Sequence, residues 1–305
     1  MEVFANAHIH QFQDDLYLIS LPVPIKGFDG FIGAWFHAKD PMVLVDVGPA
    51  VSVPYLLSAL SEIGRGEPEL ILLTHIHIDH AGGIGHVAEA FPRARVVCHP
   101  KGVNHLIDPE RLWRGSVKIL GDIAKAYEPM APLSAKQVIE ASQLRHARIQ
   151  SIETPGHAAH HVSYMIGDLL FAGEAGGVCL PLPDQTIYLR PATPPRFFLE
   201  TSLESIDRLI SKRPEQICYG HIGQRGDAVH MLETHRRQLL HWLDIIRPLH
   251  SGADGDDAKM QACVEHLLAA DPLLNEFFSL PPEVQERERD FMHNSIRGYW
   301  GYLEC

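Results

Sequence analysis

The sequence predicts an α/β protein with a helical extension at its C-terminal end. Up to about residue 225, short apolar runs bounded by Gly and Pro, which are typical of strands, alternate with stretches of helical spacing. After Gly226 no strand signal recurs, and the remaining segments have helical spacing. We therefore predict two parts, an αβ body over residues 1–225 and a helical extension over residues 226–305.

Turn and capping residues set the bounds of the individual elements. The helix predicted over residues 54–63 should end at Gly64, because glycine adopts the left-handed conformation of a C-cap without strain. Gly167-Asp168 predicts a tight turn between two strands of a hairpin. Residues 103–127 have a helical pattern with predicted breaks at Pro109 and Gly115. The other predicted strands are 16–22, 31–37, 42–45, 70–74, 94–98, 149–153, 162–166, 169–172 and 216–219. The other predicted helices are 197–210, 228–249 and two further helical stretches that reach Cys305.

Composition and charge exclude several classes of protein. With 46% hydrophobic and 21% charged residues, the chain is ordinary for a globular protein. A net charge of −12 and the lack of Lys/Arg runs argue against nucleic-acid binding. No apolar stretch approaches the ~18 residues of a membrane span, and the first residues lack a secretory signal, so we expect a cytoplasmic protein without a membrane partner. The 20 histidines favour metal binding or acid–base chemistry.

One short segment after the strand predicted at 70–74 holds four potential metal ligands in six positions: His75-Ile76-His77-Ile78-Asp79-His80. Residues two apart in an extended chain point to the same side, so the first two histidines can bind one cation. The Asp–His pair that follows, where the chain turns toward Gly82, can reach a second cation. Unrelated surface histidines are the alternative, but the two intervening isoleucines oppose it because they anchor the other side of the loop in a core.

This segment resembles the H-x-H-x-D-H signature of the metallo-β-lactamase fold superfamily. Further motifs of that family follow in order, namely Thr154-Pro155-Gly156-His157, Phe171-Ala172-Gly173-Glu174 and Tyr219-Gly220-His221, and Val43-Leu44-Val45-Asp46-Val47-Gly48 is similar to its opening strand. The resemblance covers about residues 16–223 and implies a four-layer αββα sandwich for the catalytic body. It points to a poorly characterised branch of glyoxalase II-like hydrolases.

The resemblance also implies a ligand set for two divalent cations. The first metal would be held by His75, His77 and His157, and the second by Asp79, His80 and His221, with Glu174 between them. A water molecule shared by two cations loses a proton near neutral pH and becomes a nucleophile. Asp79 and His80 are the predicted catalytic residues, because they would orient or acidify that water. Zn²⁺ is the expected metal, with iron and manganese as alternatives.

The sequence departs from the family pattern at the bridging position. Asp is usual there, and this chain has Glu174. The extra methylene means that the carboxylate folds back, that the metals sit differently, or that the bridge is lost and the second site is weaker. We favour ligation by Glu174, bridging or to one metal, over a role as a turn residue.

Several other residues receive structural interpretations. Asp46 is expected to lie behind the ligands and fix the tautomer of an imidazole. The neighbours of His157 in sequence, His160 and His161, are expected to be hydrogen-bonded wall residues. The proline-rich run 190–197 is either a rigid connector or a pocket wall. The remaining histidines are expected to be structural (His99 and His105), solvated at a frayed end (His8 and His10) or exposed on helices (His235 and His241).

These inferences lead to a function and two alternatives. The leading hypothesis is a dinuclear metal hydrolase that uses a metal-bound hydroxide on a small ester, thioester or lactone. The runner-up is a mononuclear iron oxidoreductase of the persulfide dioxygenase type, since dioxygen chemistry requires iron with open positions. A non-catalytic binding module on a vestigial site is the third reading. The expected partner is a small-molecule substrate, and a homodimer is left open.

Overall fold

The computed structural model describes residues 7–182, 186–250 and 257–304. Two sheets pack face to face, and helices cover their outer faces. The predicted α/β class, the four-layer sandwich and the helical C-terminal part are confirmed. The division into domains at residue 225 stays a prediction. The sequence's polar Gly/Asp stretch at 251–257 lies outside the described residues, apart from Asp257.

The first sheet contains seven strands in chain order. They are β1 (His8–Gln13), β2 (Leu16–Leu21), β3 (Ile32–His37), β4 (Val43–Val45), β5 (Leu70–Leu72), β6 (Arg95–Cys98) and β7 (Val138–Glu140). Strands β1 to β4 pair antiparallel, and β4 to β7 pair parallel. Strand β1 corrects the expectation of a frayed N-terminal end, because its backbone pairs with β2 although its two histidines are exposed.

The second sheet contains five strands. In chain order they are β8 (Ile149–Glu153), β9 (Val162–Ile166), β10 (Leu169–Gly173), β13 (Gln216–Tyr219) and β14 (Gln224–Arg225), and a separate pair is formed by β11 (Val178–Pro181) and β12 (Ile187–Arg190). Strands β9 and β10 form the predicted hairpin, with Gly167 at φ +64° in its turn. Strands β10 and β13 run parallel.

Burial along β2 explains why the layers form. Leu16 and Leu18 belong to the apolar cluster between the two sheets, whereas Tyr17 and Ile19 belong to the cluster under the helices. Side chains alternate between the faces of a strand, so β2, which is buried at every position, is covered on both faces. Such strands require a helical layer outside each sheet.

The helices are α1 (Val53–Ile63), α2 (Ile78–Ala81), α3 (Ile84–Ala90), α4 (Pro100–Ile107), α5 (Glu110–Leu120), α6 (Asp122–Tyr127), α7 (Leu199–Ser211), α8 (Ala228–Ile246), α9 (Asp257–Ala270) and α10 (Pro282–Leu303). Helix α1 ends at Gly64 in the left-handed conformation, as predicted. The break predicted at Gly115 is wrong, because α5 continues through it and the chain turns at Gly121, φ +58°. A single glycine within a helix costs only about 1 kcal/mol, which does not end the helix.

The C-terminal helices share the main apolar cluster of the body. Met231 and Trp242 of α8 and Ile296 of α10 are buried in the same cluster as Tyr17 and Leu44 of the first sheet. The extension is therefore part of the packed structure. Across the described residues, every helix falls short of the length and apolar content that crossing a membrane requires.

Candidate metal centre

Loops that follow strand ends meet at one edge of the two sheets. Strands β4 and β5 run parallel, so Asp46 and His75, which follow them, leave the first sheet on the same side. Strands β10 and β13 run parallel in the second sheet, so Glu174 and His221 leave that sheet together. The strand pairing thus brings together residues that are far apart in sequence.

His75, His77 and His157 form the first group that could hold a metal ion. One nitrogen from each lies within 4.8 Å of the others. His77 Nδ1 is 3.0 Å from His157 Nε2, and the His75 ring centroid is 4.6 Å from that of His77 and 4.9 Å from that of His157. Three converging imidazoles are a ligand set that zinc and related cations accept, with a position left open.

Asp79, His80 and His221 form the second group, with one ligand atom from each within 4.8 Å of the others. Asp79 Oδ2 is 3.7 Å from His80 Nε2 and 3.9 Å from His221 Nε2. Asp79 and His80 are consecutive residues of the one-turn helix α2, which follows the first two histidines directly. The structure therefore brings together all six residues of the two predicted metal sites. Their roles as ligands stay predictions.

Glu174 lies between the two groups. Its Oε1 is 2.6 Å from His221 Nε2 and 3.8 Å from His80 Nε2, and its Oε2 is 2.6 Å from His157 Nδ1. The longer side chain thus reaches one histidine of each group with a different oxygen. The position of the side chain is compatible with a bridging carboxylate, while the backbone of Glu174 opens a turn in which its carbonyl oxygen accepts the N–H of Gly177 at 3.1 Å.

Asp46 organises the imidazoles from behind, as the sequence predicts. Its Oδ1 accepts the backbone N–H of Thr74 at 2.8 Å, and its Oδ2 accepts the Thr74 hydroxyl at 2.7 Å and lies 3.0 Å from His80 Nδ1. Because the Thr74 hydroxyl proton is used in this way, His75 Nδ1 donates to Thr74 Oγ1, 3.1 Å away. Assigned from these partners, the neutral form of each histidine carries its proton on Nδ1 and leaves Nε2 free.

The same pattern extends to two further histidines. His157 Nδ1 is 2.6 Å from the carbonyl oxygen of Ala192, and His221 Nδ1 is 3.3 Å from that of Phe31. In the described chain, the Nε2 atoms of His75 and His80 are buried without any hydrogen-bond partner. Buried nitrogens with free lone pairs are costly unless something binds them. The residues present therefore fit divalent metal ions.

His161 holds the backbone that carries Glu174, a role that sequence reasoning left general. The Glu174 N–H donates to His161 Nε2 at 3.1 Å, and His161 Nδ1 is 2.8 Å from Thr154 Oγ1. The hydrogen-bond network continues from Thr154 to Ser163, whose hydroxyl donates to the backbone carbonyl of Ala172 in β10. His160 contacts the loop more weakly, with its Nδ1 3.4 Å from the N–H of Ile76. Both are hydrogen-bonded wall residues, as expected.

Comparison with known proteins decides the family. A sequence profile of the metallo-beta-lactamase superfamily matches residues 34–221, which include both groups of candidate ligands. The chain belongs to the metallo-β-lactamase superfamily. This superfamily generally binds divalent metals, and membership supports a metal-dependent hydrolase in general.

Individual members of the superfamily resemble this chain to different extents. A metallo-beta-lactamase fold-containing protein of Sulfurisphaera tokodaii is 28% identical over 207 residues, which are 65% of this chain and 74% of that protein. The hydroxyacylglutathione hydrolase of Salmonella paratyphi A is 28% identical over 167 residues, 52% of this chain and 53% of that enzyme. The chain thus matches only about half of that hydrolase.

Solved structures of superfamily members share the fold. An archaeal member from Sulfolobus tokodaii has a TM-score of 0.67 at 23% identity, covering 92% of this chain and 97% of its own. A family protein from Thermus thermophilus has a TM-score of 0.64 at 22% identity, covering 96% of this chain and 94% of its own.

Burial and neighbouring charges shift the proton affinities within the candidate metal centre of this superfamily member. Burial, reinforced by nearby imidazoles, holds the pKa of His75 and of His77 well below the usual range. Burial alone would raise the pKa of Glu174, but contact with imidazoles, first that of His157, holds it well below its ordinary value. His75 and His77 are therefore neutral at pH 7, and the central carboxylate is ionised.

Two other histidines of the site have pKa values above the usual range. Burial disfavours protonation of His80, yet the nearby carboxylates of Asp79, Asp46 and Glu174 raise its pKa well above the usual range. The pKa of His157 is also raised, because Glu174 outweighs burial. A cation that binds at these two imidazoles must displace a proton, so metal affinity should fall in acid.

The remaining histidines and the proline-rich run can now be placed. The expectation that His235 is exposed is wrong, because it is 3% exposed and its ring lies beside Gly177, the residue before β11. His241 is exposed, as expected, and His99 caps α4 by accepting the N–H of Lys101. Within the proline-rich run, Arg190 ends strand β12 and is buried against Glu288 of α10.

Proposed function

We propose that this member of the superfamily is a dinuclear metal-dependent hydrolase of a small ester, thioester or lactone. The observation that carries the proposal is the presence of two complete ligand groups with one carboxylate between them. The partial likeness to a hydroxyacylglutathione hydrolase supports an acyl-transfer substrate. Zinc is the proposed metal, since nitrogen-rich sites with one carboxylate suit it.

The residues of the site would have different roles in hydrolysis, according to where they lie. Two bound cations would supply Lewis acidity and an ionised water as the nucleophile. Asp46 and the carbonyls behind the imidazoles hold the Nε2 lone pairs toward the centre. The Asp79 side chain is 25% exposed, against 2% for His80 and 4% for His221, so it lies at the accessible side of the centre. There its carboxylate can accept a proton from, and orient, a water molecule beside the substrate.

The oxidoreductase alternative would need only one of the two ligand groups. A mononuclear iron site leaves no role for the second group or for a carboxylate that contacts both. The completeness of the second group therefore favours the two-metal hydrolase.

Metal analysis combined with a substrate panel tests the proposal. Purified protein should contain two equivalents of divalent metal and should hydrolyse a member of a panel of thioesters, esters and lactones, with phosphodiesters as the comparison. Asp79→Ala should lower turnover at least tenfold. One equivalent of iron with oxygen uptake would support the dioxygenase instead. Full turnover and unchanged metal content in the Asp79 variant would contradict the assigned role.

A further inference from the structure

The imidazole of His221 is one layer of a three-layer stack. Its ring lies 4.0 Å from the Phe31 ring, centroid to centroid, with 12° between the planes. The guanidinium carbon of Arg287, in helix α10, lies 3.9 Å from the same Phe31 centroid. Both the imidazole and the guanidinium lie within about 4 Å of the Phe31 centroid, so there is no room for the two flat groups on the same face of the ring. Phe31 is therefore sandwiched between a cation of the C-terminal helix and a candidate metal ligand.

Helix α10 fixes Phe31 by further contacts. Phe291, one turn after Arg287, stacks on Phe31 with centroids 5.5 Å apart and 30° between the planes. The Arg287 guanidinium also donates to the carbonyl oxygen of Gly27 at 2.6 Å, in the loop that leads to Phe31. A Cβ at Gly27 would lie 2.3 Å from the carbonyl oxygen of Glu283, so the first turn of α10 lies directly on this loop.

The cation over Phe31 is held in place by a buried ion network. Glu288 Oε1 accepts from Arg287 Nε at 3.0 Å and from Nη2 at 2.9 Å. The other Glu288 oxygen accepts from Arg190, whose guanidinium lies 4.5 Å from the Phe291 ring centroid. Two cations thus share one carboxylate. Arg287 lies over Phe31 of the stack, and Arg190 lies over Phe291, which packs beside Phe31. A cation over an aromatic face that is shielded from water is attracted more strongly than one at an exposed site.

Phe31 acts on His221 through its backbone as well as its ring. Its carbonyl oxygen lies 3.3 Å from His221 Nδ1, and Ile32 forms an isolated β-bridge with His221. The ring sets the plane of the imidazole and the carbonyl sets its tautomer, so Nε2 points toward Glu174, 2.6 Å away. Groups that orient a ligand in this way typically change metal affinity by 10- to 100-fold when they are removed.

We propose that Arg287 is a positioning residue for the second metal site and that helix α10 supports that site through Phe31. This inference rests on the proposed two-metal function. None of the first group's histidines belongs to the stack, so the support is specific to the second site.

Stepwise metal binding to metal-free protein tests the proposal. Zn²⁺ would be titrated against a competing chelator, and the visible spectrum would be followed on Co²⁺ addition. In Arg287→Met, the second binding step should weaken about 10- to 100-fold and the first should change less than twofold. Arg287→Lys should restore part of the loss, because it returns a cation to the ring face.

Arg289→Met is the matched control. Arg289 lies on the same helix, and its guanidinium lies 4.8 Å from the ring centroid of Phe277, away from the metal ligands. It should leave both binding steps unchanged. Phe31→Leu removes the middle layer and retains apolar volume, so it should weaken the second step as Arg287→Met does. It also decides the question if Arg287→Met does not fold.

The outcomes separate this inference from the proposed function. If wild-type protein binds two metals and the Arg287 and Phe31 variants match the Arg289 control, the positioning role is wrong. Equal weakening of both steps would also overturn it, since that is the result of general destabilisation. If the wild-type protein itself binds only one metal, the proposed two-metal function is wrong, and the inference that rests on it is wrong as well.

Discussion

Glu174 contacts a histidine of each ligand group with a different carboxylate oxygen, each at 2.6 Å. We predict that Glu174→Ala lowers bound metal from two equivalents toward one, because the remaining groups lose their shared anion. Glu174→Asp should weaken binding less, since the shorter carboxylate keeps the charge and loses the reach to one group. Metal per chain, measured by elemental analysis after dialysis, is the readout.

Glu153→Ala is a suitable control for that change. Glu153 ends strand β8 of the same sheet, its side chain is 55% exposed, and its nearest ionic contact is His99 at 3.9 Å. Its removal should leave the metal content unaltered. Unchanged stoichiometry and affinity in Glu174→Ala would remove this residue from the ligand set.

His235 makes a residue-scale prediction about acid stability. Burial lowers its pKa to about 4 from an ordinary value of 6.5. The unfolded chain therefore takes up this proton at a higher pH than the folded chain does. The resulting stability is present above pH 6.5 and is lost as pH falls toward 4, by up to about 3 kcal/mol.

His235→Leu should remove this part of the acid sensitivity. Its free energy of unfolding, compared with that of the parent protein by urea titration at pH 7.5 and pH 5, should fall less on acidification. His241, on the same helix, is exposed, so His241→Leu should lose as much free energy of unfolding on acidification as the parent protein does. An equal loss in all three proteins would mean that His235 is accessible to protons in the folded state.

At the scale of elements, the strands adjoining the site could be predicted because their signals are local. Apolar runs that end in Asp46, His75, Glu174 and His221 mark both the strands and the loops after them. Strands β1 and β12 are not predicted, because their sequences lack a clear local strand pattern and only their pairing with β2 and β11 makes them strands. The stack of His221, Phe31 and Arg287 joins residues far apart in sequence, and no spacing rule connects them.

The end of β10 supplies a prediction at this scale. Gly173 has φ +58°, and a Cβ there would lie 2.4 Å from His161 Nε2 and 2.9 Å from Thr74 Cβ. Gly173→Ala should therefore displace the histidine that holds Glu174 and cost roughly 2–5 kcal/mol, from backbone strain plus overpacking. Urea unfolding measures the loss, and metal content should fall with it.

Gly167→Ala separates the two causes. Gly167 has a similar backbone, φ +64°, but nothing lies within 4 Å of the position of its Cβ. It should cost only the strain of the left-handed conformation, about 1 kcal/mol. Equal losses in the two variants would show that the contact with His161 has no energetic weight.

At the scale of the whole molecule, the C-terminal helices complete one core with the body. The apolar cluster that includes Leu44 of the first sheet also includes Leu239 and Trp242 of α8 and Ile296 of α10. A chain of residues 1–225 would expose the surface that these side chains cover. This bears directly on the boundary predicted from the sequence at residue 225.

We predict that residues 1–225 alone do not form a cooperatively folded protein. Their circular dichroism should lack the single sharp thermal transition of the full chain. Within the full chain, Leu239→Ala should cost about 2–5 kcal/mol because it leaves a cavity in the shared core. Leu240→Ala, at a neighbouring position that is 37% exposed, should cost far less. A sharp transition in the truncated chain, with a small loss for Leu239→Ala, would instead make the body an independent domain, because the extension would then contribute little to its core.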